Sequence, residues 1–340
     1  MSAALDVGAV ERWLAGAVPG FQGPLSAEKI AGGQSNPTYR LRSPSGEMVL
    51  RRKPSGQLLK SAHAVDREFR VQRALWGTAV PVPRMIALCE DEGVIGTMFY
   101  VMERVEGRHF DDPRLLDLDR DERGAVIGDM ARTLAAIHGV DVGAVGLADY
   151  GPPGDYYARQ IDRWTKQYRA SETEEVPAMD ELIAWLGASR PEDDGRRALV
   201  HGDYRIDNMI FEAAAPRCAA VLDWELSTLG HPFADLAYVL MQWRMPPGGE
   251  GRGLAGVDRE ALGLPSDAAF VAAYAEAAGI GEIPPLNFYL AFAFFRMAAI
   301  LQGVKRRALD GNASDPERGL RMGAHIPRFA EGGLRAAERG

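Results

Sequence analysis

Hydrophobic and polar positions follow two different patterns along the chain, and the first covers residues 25–106. There, short segments of alternating hydrophobic and polar residues are separated by glycine, proline, serine and asparagine. Alternation with a period of two is typical of β-strands, and tight turns between such segments indicate antiparallel pairing. The pattern predicts three strands, one helix and two more strands, in this order: residues 29–32, 38–41, 48–53, 64–76, 85–89 and 99–104.

From Gly107 onward, hydrophobic residues recur at the helical spacing of three or four positions. One such stripe spans residues 127–137, after Asp119 and Glu122, whose spacing is typical of a capping box at the start of a helix. A strand-like segment over residues 198–223 interrupts the helical pattern. Further helices are predicted over residues 233–243 and 286–309.

The change of pattern divides the 340 residues into three predicted parts. These are an N-terminal helical extension (1–24), a β-rich lobe (25–106) and a larger helical lobe (107–340). The composition, 46% hydrophobic and 25% charged, is that of a soluble globular protein with one large or two modest cores. Because ligand sites favour the boundaries between lobes, we expect a site where the β-rich and helical parts meet.

The charge balance, and the lack of a segment resembling a secretory signal or a membrane span, argue against several classes of protein. With 39 basic and 47 acidic residues the formal charge is −8, so we expect neither a nucleic acid nor a membrane as partner. The first 21 residues do not resemble a secretory signal, and the longest apolar run, Phe288 to Phe295, is short for a membrane span. Only Cys89 and Cys218 occur, so the simplest expected location is the reducing cytoplasm.

The most specific motif begins at His201 and continues through Gly202 and Asp203 to Asn208, with Asp223 following fifteen residues later. In the kinase signature, a loop with this spacing supplies a catalytic base and a magnesium ligand, and a second Asp after a hairpin also holds magnesium. Transfer of a phosphoryl group needs strong neutralisation of charge, and Mg²⁺ prefers hard oxygen ligands. The spacing therefore predicts Asp203 as the base and Asn208 and Asp223 as metal ligands.

These residues resemble the aminoglycoside phosphotransferase and choline kinase group of small-molecule kinases. That group has His-Gly-Asp in the catalytic loop and Asp-Trp-Glu in the second motif, as this chain does at 201–203 and 223–225. Within the group, Gly-Gly-Gln-Ser-Asn at 32–36 and Arg296-Met297 look most similar to the branch associated with acyl-CoA dehydrogenases. The resemblance implies an α+β, bilobal, protein-kinase-like fold, with one main helix beside the small antiparallel sheet, and ATP and Mg²⁺ as cofactors.

The resemblance also implies the other parts of an ATP site. The glycine-containing turn would cover the phosphates with Gly33, Gln34, Ser35 and Asn36. Strand alternation puts Arg51 and Lys53 on one face; relatives favour Arg51 as the phosphate-binding cation, with Lys53 in reserve, and Glu68 would orient the cation. The backbone near Glu103 and Val105 would hold adenine. Two residues have a structural role: His201 supports the loop by packing, and Asp235 by bracing its backbone.

The acceptor is less well defined by the sequence. Similarity to the acyl-CoA-dehydrogenase-associated branch implies a hydroxyl of a small metabolite, such as a hydroxy fatty acid or a hydroxyacyl-CoA. The alternatives are an aminoglycoside phosphotransferase and, in another class, a non-catalytic nucleotide-binding module. Aromatic residues at 288–295 would either line an apolar acceptor pocket or belong to the core. The sequence leaves the acceptor, the choice between ATP and GTP, and the oligomeric state open.

Overall fold

The computed structural model describes residues 5–30, 36–54, 64–248, 252–313 and 315–338. The described residues form two compact units, each built from separate stretches of chain. The first unit draws on Met1–His109, Asp141–Leu147 and Asp207–Ser227, and the second on Phe110–Val140, Ala148–Ile206 and Thr228–Gly340. Residues 207–227 thus group with the first unit, whereas the sequence pattern placed them in the helical lobe.

Within the described ranges, the chain forms eleven α-helices and ten β-strands. The helices are α1 (Val7–Ala17), α2 (Val65–Leu75), α3 (Arg120–His138), α4 (Tyr156–Ser171), α5 (Pro177–Ala188), α6 (Phe233–Trp243), α7 (Arg259–Leu262), α8 (Asp267–Ala277), α9 (Asn287–Leu309), α10 (Pro316–Gly323) and α11 (Ile326–Glu338). The strands are β1 (Ser26–Lys29), β2 (Thr38–Ser43), β3 (Gly46–Arg52), β4 (Met85–Cys89), β5 (Phe99–Glu103), β6 (Arg108–His109), β7 (Ala198–Val200), β8 (Met209–Phe211), β9 (Cys218–Val221) and β10 (Thr228–Gly230).

The first unit is organised around a five-stranded antiparallel sheet with the strand order β1-β2-β3-β5-β4. One face carries Leu50 and packs with Val10 and Leu14 of α1. The opposite face carries Val49 and packs with Phe69 of α2. Because side chains alternate along a strand, neighbouring residues of β3 enter two different cores.

A second sheet of the first unit, in the order β6-β8-β9, positions the residues that follow the His201 motif. Strand β8 begins directly after Asn208, and β9 ends two residues before Asp223. Gly107 lies against this sheet so closely that a Cβ atom there would lie 2.2 Å from the carbonyl oxygen of Phe211. No side chain fits this position, which keeps the start of β6 beside the β8–β9 hairpin.

The second unit is mostly helical and has α9 at its centre, in contact with α4, α5, α6, α10 and α11. The aromatic residues of α9 belong to the core: Phe288 and Phe292 pack edge-on against Tyr157, and Phe294 packs against Phe329. Strands β7 and β10 form a short antiparallel pair beside these helices. The predicted α+β class is confirmed by this combination of an antiparallel sheet and a helical unit.

By length and composition alone, α9 is the one helix in the described ranges that is apolar enough to cross a membrane. Of its most apolar stretch, 72% is buried inside the protein, as is usual for the core helix of a globular protein. The absence of a membrane partner stays a prediction.

Candidate functional site

Arg51, near the end of β3, is surrounded by three carboxylates of the first unit. Its Nε lies 2.9 Å from Oε2 of Glu68, and its Nη2 lies 2.5 Å from Oδ1 of Asp223 and 3.7 Å from Oε2 of Glu225. Only 1% of the Glu68 side chain and 11% of the Arg51 side chain are exposed. This is a buried ion pair that extends to two further carboxylates.

The strand register explains why Arg51 reaches Glu68. Arg51 shares its face of β3 with Val49, and that face packs against α2, whose first turn contains Glu68. Arg52 points to the opposite face, where it is buried and its guanidinium lies 5.7 Å from the centre of the Tyr39 ring. A carboxylate in the first turn of α2 also interacts favourably with the helix dipole.

Lys53 lies one residue beyond the end of β3. Its backbone N–H donates to the carbonyl of Met98, which continues the strand pairing by one residue. The sequence left Arg51 and Lys53 as alternative cations, and the ion pair with Glu68 is made by Arg51.

The electrostatics of this cluster are dominated by burial. Burial raises the pKa of Glu68 to about 7; the neighbouring Arg51 lowers it, and Asp223 and Glu225 raise it further. Burial alone would lower the pKa of Arg51, but the surrounding carboxylates of Glu68, Asp223 and Glu225 raise it above its ordinary value. Arg51 therefore stays charged at any physiological pH.

The β8–β9 hairpin brings Asn208 and Asp223 to the same end of the sheet. The backbone N–H of Leu222 donates to the carbonyl of Asn208 at 2.8 Å, which ties the two segments together. Asn208 is buried, and Asp223 has a left-handed backbone with φ of 63°. Such a conformation is uncommon outside glycine and is frequently held at functional sites.

The donor set around Asp223 fits a magnesium ion. One guanidinium, Arg51, faces three carboxylates, so two negative charges are in excess when all three are ionised. In the described part of the chain, no group of three or more His, Cys, Asp or Glu side chains could hold a metal by itself. The predicted ligands Asn208 and Asp223 offer an amide oxygen and a carboxylate, the hard oxygen donors that Mg²⁺ prefers, and they are the residues that would hold the ion.

Asn36 is the one residue of the predicted phosphate-covering turn that the structure describes; Gly33, Gln34 and Ser35 lie outside the described residues. Its side chain is fully buried, and Nδ2 donates to Oε2 of Glu225 at 3.2 Å. Among the described residues, its Oδ1 has no hydrogen-bond partner. Asn36 thus connects the end of this turn to the Asp-Trp-Glu segment.

Glu103 and Val105 lie at and just beyond the end of β5. The backbone N–H of Glu103 donates to the carbonyl of Arg84 at 2.9 Å, and its exposed side chain lies 3.5 Å from the Arg84 guanidinium. Val105 is half-buried and outside any strand. Because the amide of Glu103 is already engaged, an adenine ring could use only the carbonyl of this residue.

Residues 201–206 of the predicted catalytic loop belong to the second unit, where Asp235 braces them from the first turn of α6. The Asp235 carboxylate accepts the backbone N–H of His201 at 2.7 Å and that of Gly202 at 2.8 Å. Gly202 has a φ of +85°, a conformation that favours glycine. His201 is fully buried, and its Nδ1 accepts the backbone N–H of Asp203. His201 and Asp235 therefore both hold the loop backbone.

His138 of α3 contacts Asp235 and so contributes to the support of the loop. Its Nε2 lies 3.3 Å from Oδ2 of Asp235, and its Nδ1 lies 2.7 Å from the hydroxyl of Tyr274. Burial alone would raise the pKa of Asp235, but the contact with His138, the electrostatic interaction with His201 and the hydrogen bond from the Gly202 amide keep this pKa below its ordinary value. The bracing carboxylate therefore stays ionised.

Asp203 contacts the side chains of Tyr238 and Arg205 within its unit. The hydroxyl of Tyr238 donates to Oδ1 of Asp203 at 2.5 Å, and Nε of Arg205 lies 3.4 Å from the same oxygen. Arg296 of α9 donates to the carbonyl of Gly202 at 2.9 Å.

Sequence reasoning assigned no role to Tyr238, Arg205, His138 or Glu225. Glu225 and Arg205 lie within the motifs and could have been suspected from their position. Tyr238 and His138 could not, because they reach the loop from helices distant in sequence. Arg296 was noted only as a mark of resemblance.

The structure thus assembles the predicted residues in two sets. The first unit brings together Arg51, Glu68, Asn208 and Asp223, and the second brings together His201, Asp203 and Asp235. Asp203 and Asn208 are linked through only four intervening residues of the chain. The predicted roles of these residues remain predictions.

Comparison with known sequences supplies relatives that cover nearly all of this chain. The family model described as "Phosphotransferase enzyme family" matches residues 26–289. The chain is 47% identical over 313 residues to acyl-CoA dehydrogenase family member 10 of Mus musculus, covering 92% of this chain and 29% of that protein. It is 40% identical over 343 residues to family member 11 of Homo sapiens, covering 98% and 43%. The chain spans less than half the length of these curated relatives.

Solved structures lead to the same group. A protein of Ralstonia eutropha described as a candidate aminoglycoside phosphotransferase is 48% identical, with a TM-score of 0.89 and 99% of each chain covered. The aminoglycoside phosphotransferase APH(4)-Ia with ADP and hygromycin B (18% identity, TM-score 0.64, 98% and 99% covered) and choline kinase of Cryptosporidium parvum (12%, 0.64, 97% of each) share the fold. The chain therefore has the kinase-like fold, and it belongs to the phosphotransferase enzyme family.

Proposed function

We propose that this protein is a kinase that uses ATP and Mg²⁺ to phosphorylate a hydroxyl group of a small metabolite. The observation that carries the proposal is the buried pair of Arg51 and Glu68, extended to Asp223. Taking an ion pair out of water is costly, so its retention beside further carboxylates favours a functional role over a stabilising one. In kinases, this arrangement aims a cation at the phosphates of the nucleotide.

Five residues of the two sets have a role in the proposed reaction, while His201 and Asp235 support the backbone of the loop. Arg51 binds phosphate oxygens as a planar fork, and Glu68 keeps it in place. Asn208 and Asp223 would hold Mg²⁺, which would supply the positive charge that neutralises the triphosphate. Asp203 accepts the proton of the acceptor hydroxyl as that oxygen bonds to the terminal phosphorus of ATP. The bond between this phosphorus and the bridging oxygen breaks, and ADP leaves with that oxygen.

The predicted phosphate-covering turn and the end of β5 bind the rest of the nucleotide. The turn ending at Asn36, with Gly33, Gln34 and Ser35, covers the phosphates. Adenine is held by the carbonyl of Glu103 and the amide of Val105.

For the acceptor, we propose a hydroxy fatty acid or its CoA thioester. Support comes from the curated relatives, which carry the name acyl-CoA dehydrogenase family member and extend well beyond the part that matches this chain. A second candidate is an aminoglycoside, favoured by the description of the Ralstonia eutropha protein.

A phosphate-transfer assay with Mg·ATP against hydroxy fatty acids, hydroxyacyl-CoAs and aminoglycosides tests both candidates. The matched control is Asp203→Asn, which keeps the shape of the side chain but removes the base. We expect turnover of a hydroxyacyl substrate and a loss of about 10²–10⁴-fold in the control, with nucleotide affinity unchanged. Turnover of aminoglycosides alone would support the second candidate. Stabilisation by Mg·ATP without transfer to any alcohol would instead favour a non-catalytic nucleotide-binding module.

A further inference from the structure

A buried tyrosine of α6 contacts the predicted base. Tyr238 lies one helical turn after Asp235, is 5% exposed, and donates its hydroxyl to Oδ1 of Asp203 at 2.5 Å. Burial and the neighbouring Asp203 raise the pKa of Tyr238 well above its ordinary value. The phenol therefore keeps its proton over the whole physiological range, and its hydroxyl acts as the donor to the carboxylate.

Arg296 fixes the ring of this tyrosine. Its guanidinium lies 5.7 Å from the centre of the Tyr238 ring and 5.8 Å from that of Trp164, so it is placed against aromatic rings of α6 and α4. The same guanidinium donates to the carbonyl of Gly202, which directly precedes Asp203. Arg296 thus connects the tyrosine ring and the backbone of the catalytic loop.

We propose that Tyr238, held by Arg296, is a positioning residue that fixes the orientation of the Asp203 carboxylate and favours its ionised form. This inference rests on the proposed function, in which Asp203 accepts a proton from the acceptor. Tyr238 itself touches neither the acceptor nor the nucleotide in this role.

The physical effect follows from the direction of the hydrogen bond. A donor to a carboxylate stabilises the charged form, so removing the hydroxyl makes protonation of Asp203 easier. The base works only when ionised, so protonation at low pH removes activity. The charged and titratable groups around this contact in its own unit are Arg205, Arg296, His201 and Asp235. All of them remain when only the tyrosine hydroxyl is removed.

Tyr238→Phe is the variant that removes the hydroxyl while keeping the ring against Arg296. We expect kcat to fall about three- to tenfold with the KM for ATP unchanged, and the acid limb of the pH–kcat profile to move up by about one pH unit. The matched control is Tyr168→Phe, which removes the hydroxyl of another fully buried tyrosine of the same unit. It should leave kcat and the pH profile unchanged.

A measurement without catalysis separates this inference from the proposed function. In ¹³C NMR titrations of the nucleotide-free protein, the midpoint of the Asp203 carboxyl resonance should shift upward by about one pH unit in Tyr238→Phe and stay constant in Tyr168→Phe. An unchanged midpoint would overturn the inference, even if the variant were less stable. A shifted midpoint in a protein that transfers no phosphate would support the contact and reject the proposed function.

Discussion

Arg51 connects β3 to the first turn of α2 and to the Asp-Trp-Glu segment through its ion pairs. It contacts Glu68, Asp223 and Glu225 at once, a task that suits a guanidinium because its donors point in several fixed directions within one plane. Lysine has a single ammonium group and could not reproduce this geometry. An arginine at this position is therefore more than a substitute for the lysine that kinases usually have.

Replacing Arg51 and Lys53 one at a time should show which of the two side chains binds the phosphates. We expect Arg51→Ala to weaken the binding of Mg·ATP about ten- to a hundredfold, the equivalent of one or two charge-assisted hydrogen bonds. Lys53→Ala is the matched control and should change affinity less than threefold. Isothermal titration calorimetry with a non-hydrolysable ATP analogue measures both. A larger effect at Lys53 would reverse the assignment of the phosphate-binding cation.

Glu68 should make the stability of the protein depend on pH. Its pKa is raised in the folded state to about 7, mainly by burial, so the folded protein binds more protons at this site than the unfolded chain does. The contribution of Glu68 to the free energy of unfolding must then decrease as the pH rises from about 4.5 to 7. Urea unfolding at several pH values should show that Glu68→Gln loses this decrease. A parallel pH dependence in variant and wild type would contradict the shift.

How much of the site could be predicted depends on distance along the chain. Asp203, Asn208 and Asp223 are predicted as site residues because they occupy motifs with a fixed spacing. Alternation separated Arg51 from Arg52 but not from Lys53, since residues two apart share a face of the strand. Tyr238 gave no signal at all, because its role arises from packing of α6 against the loop.

At the scale of elements, local patterns predicted most boundaries and the antiparallel pairing of the first three strands. The first strand is an exception, because it was predicted over 29–32 and the structure has it at Ser26–Lys29. The predicted helices over 64–76 and 286–309 correspond to Val65–Leu75 and Asn287–Leu309, and the predicted strand over 85–89 to Met85–Cys89. The position of β5 between β3 and β4 and the grouping of 207–227 with the first unit involve contacts between distant parts of the chain. No local period encodes such contacts.

Helix α1 was predicted as an extension, yet Val10 and Leu14 are fully buried in the core of the five-stranded sheet. We expect Leu14→Ala to lower the free energy of unfolding by about 2–5 kcal/mol, because it leaves a cavity in that core. Arg12→Ala, on the exposed side of the same helix, should change it by less than about 0.5 kcal/mol. Chemical denaturation monitored by fluorescence measures both. Equal effects would show that α1 does not contribute to the core.

At the scale of the whole molecule, nucleotide binding should appear as stabilisation. A ligand that binds only the folded state at a hundred times its Kd adds about 2.7 kcal/mol to the free energy of unfolding. We expect Mg·ATP to raise Tm by several degrees in the wild type. In Asp223→Ala, which lacks one of the two proposed metal ligands, the increase should disappear. Equal stabilisation of both proteins would argue against Asp223 as a ligand.

The cluster of Arg51, Glu68, Asp223 and Glu225 predicts that variants at position 51 and variants at position 223 lose function for different reasons. Loss of Asp223 leaves Arg51 still paired with Glu68, whereas loss of Arg51 leaves the buried Glu68 without its ion-pair partner and is destabilising. A deep mutational scan that scores abundance and specific activity separately should therefore divide these positions. Variants at position 51 should give less soluble protein. Variants at position 223 should be as abundant as the wild type but lack activity.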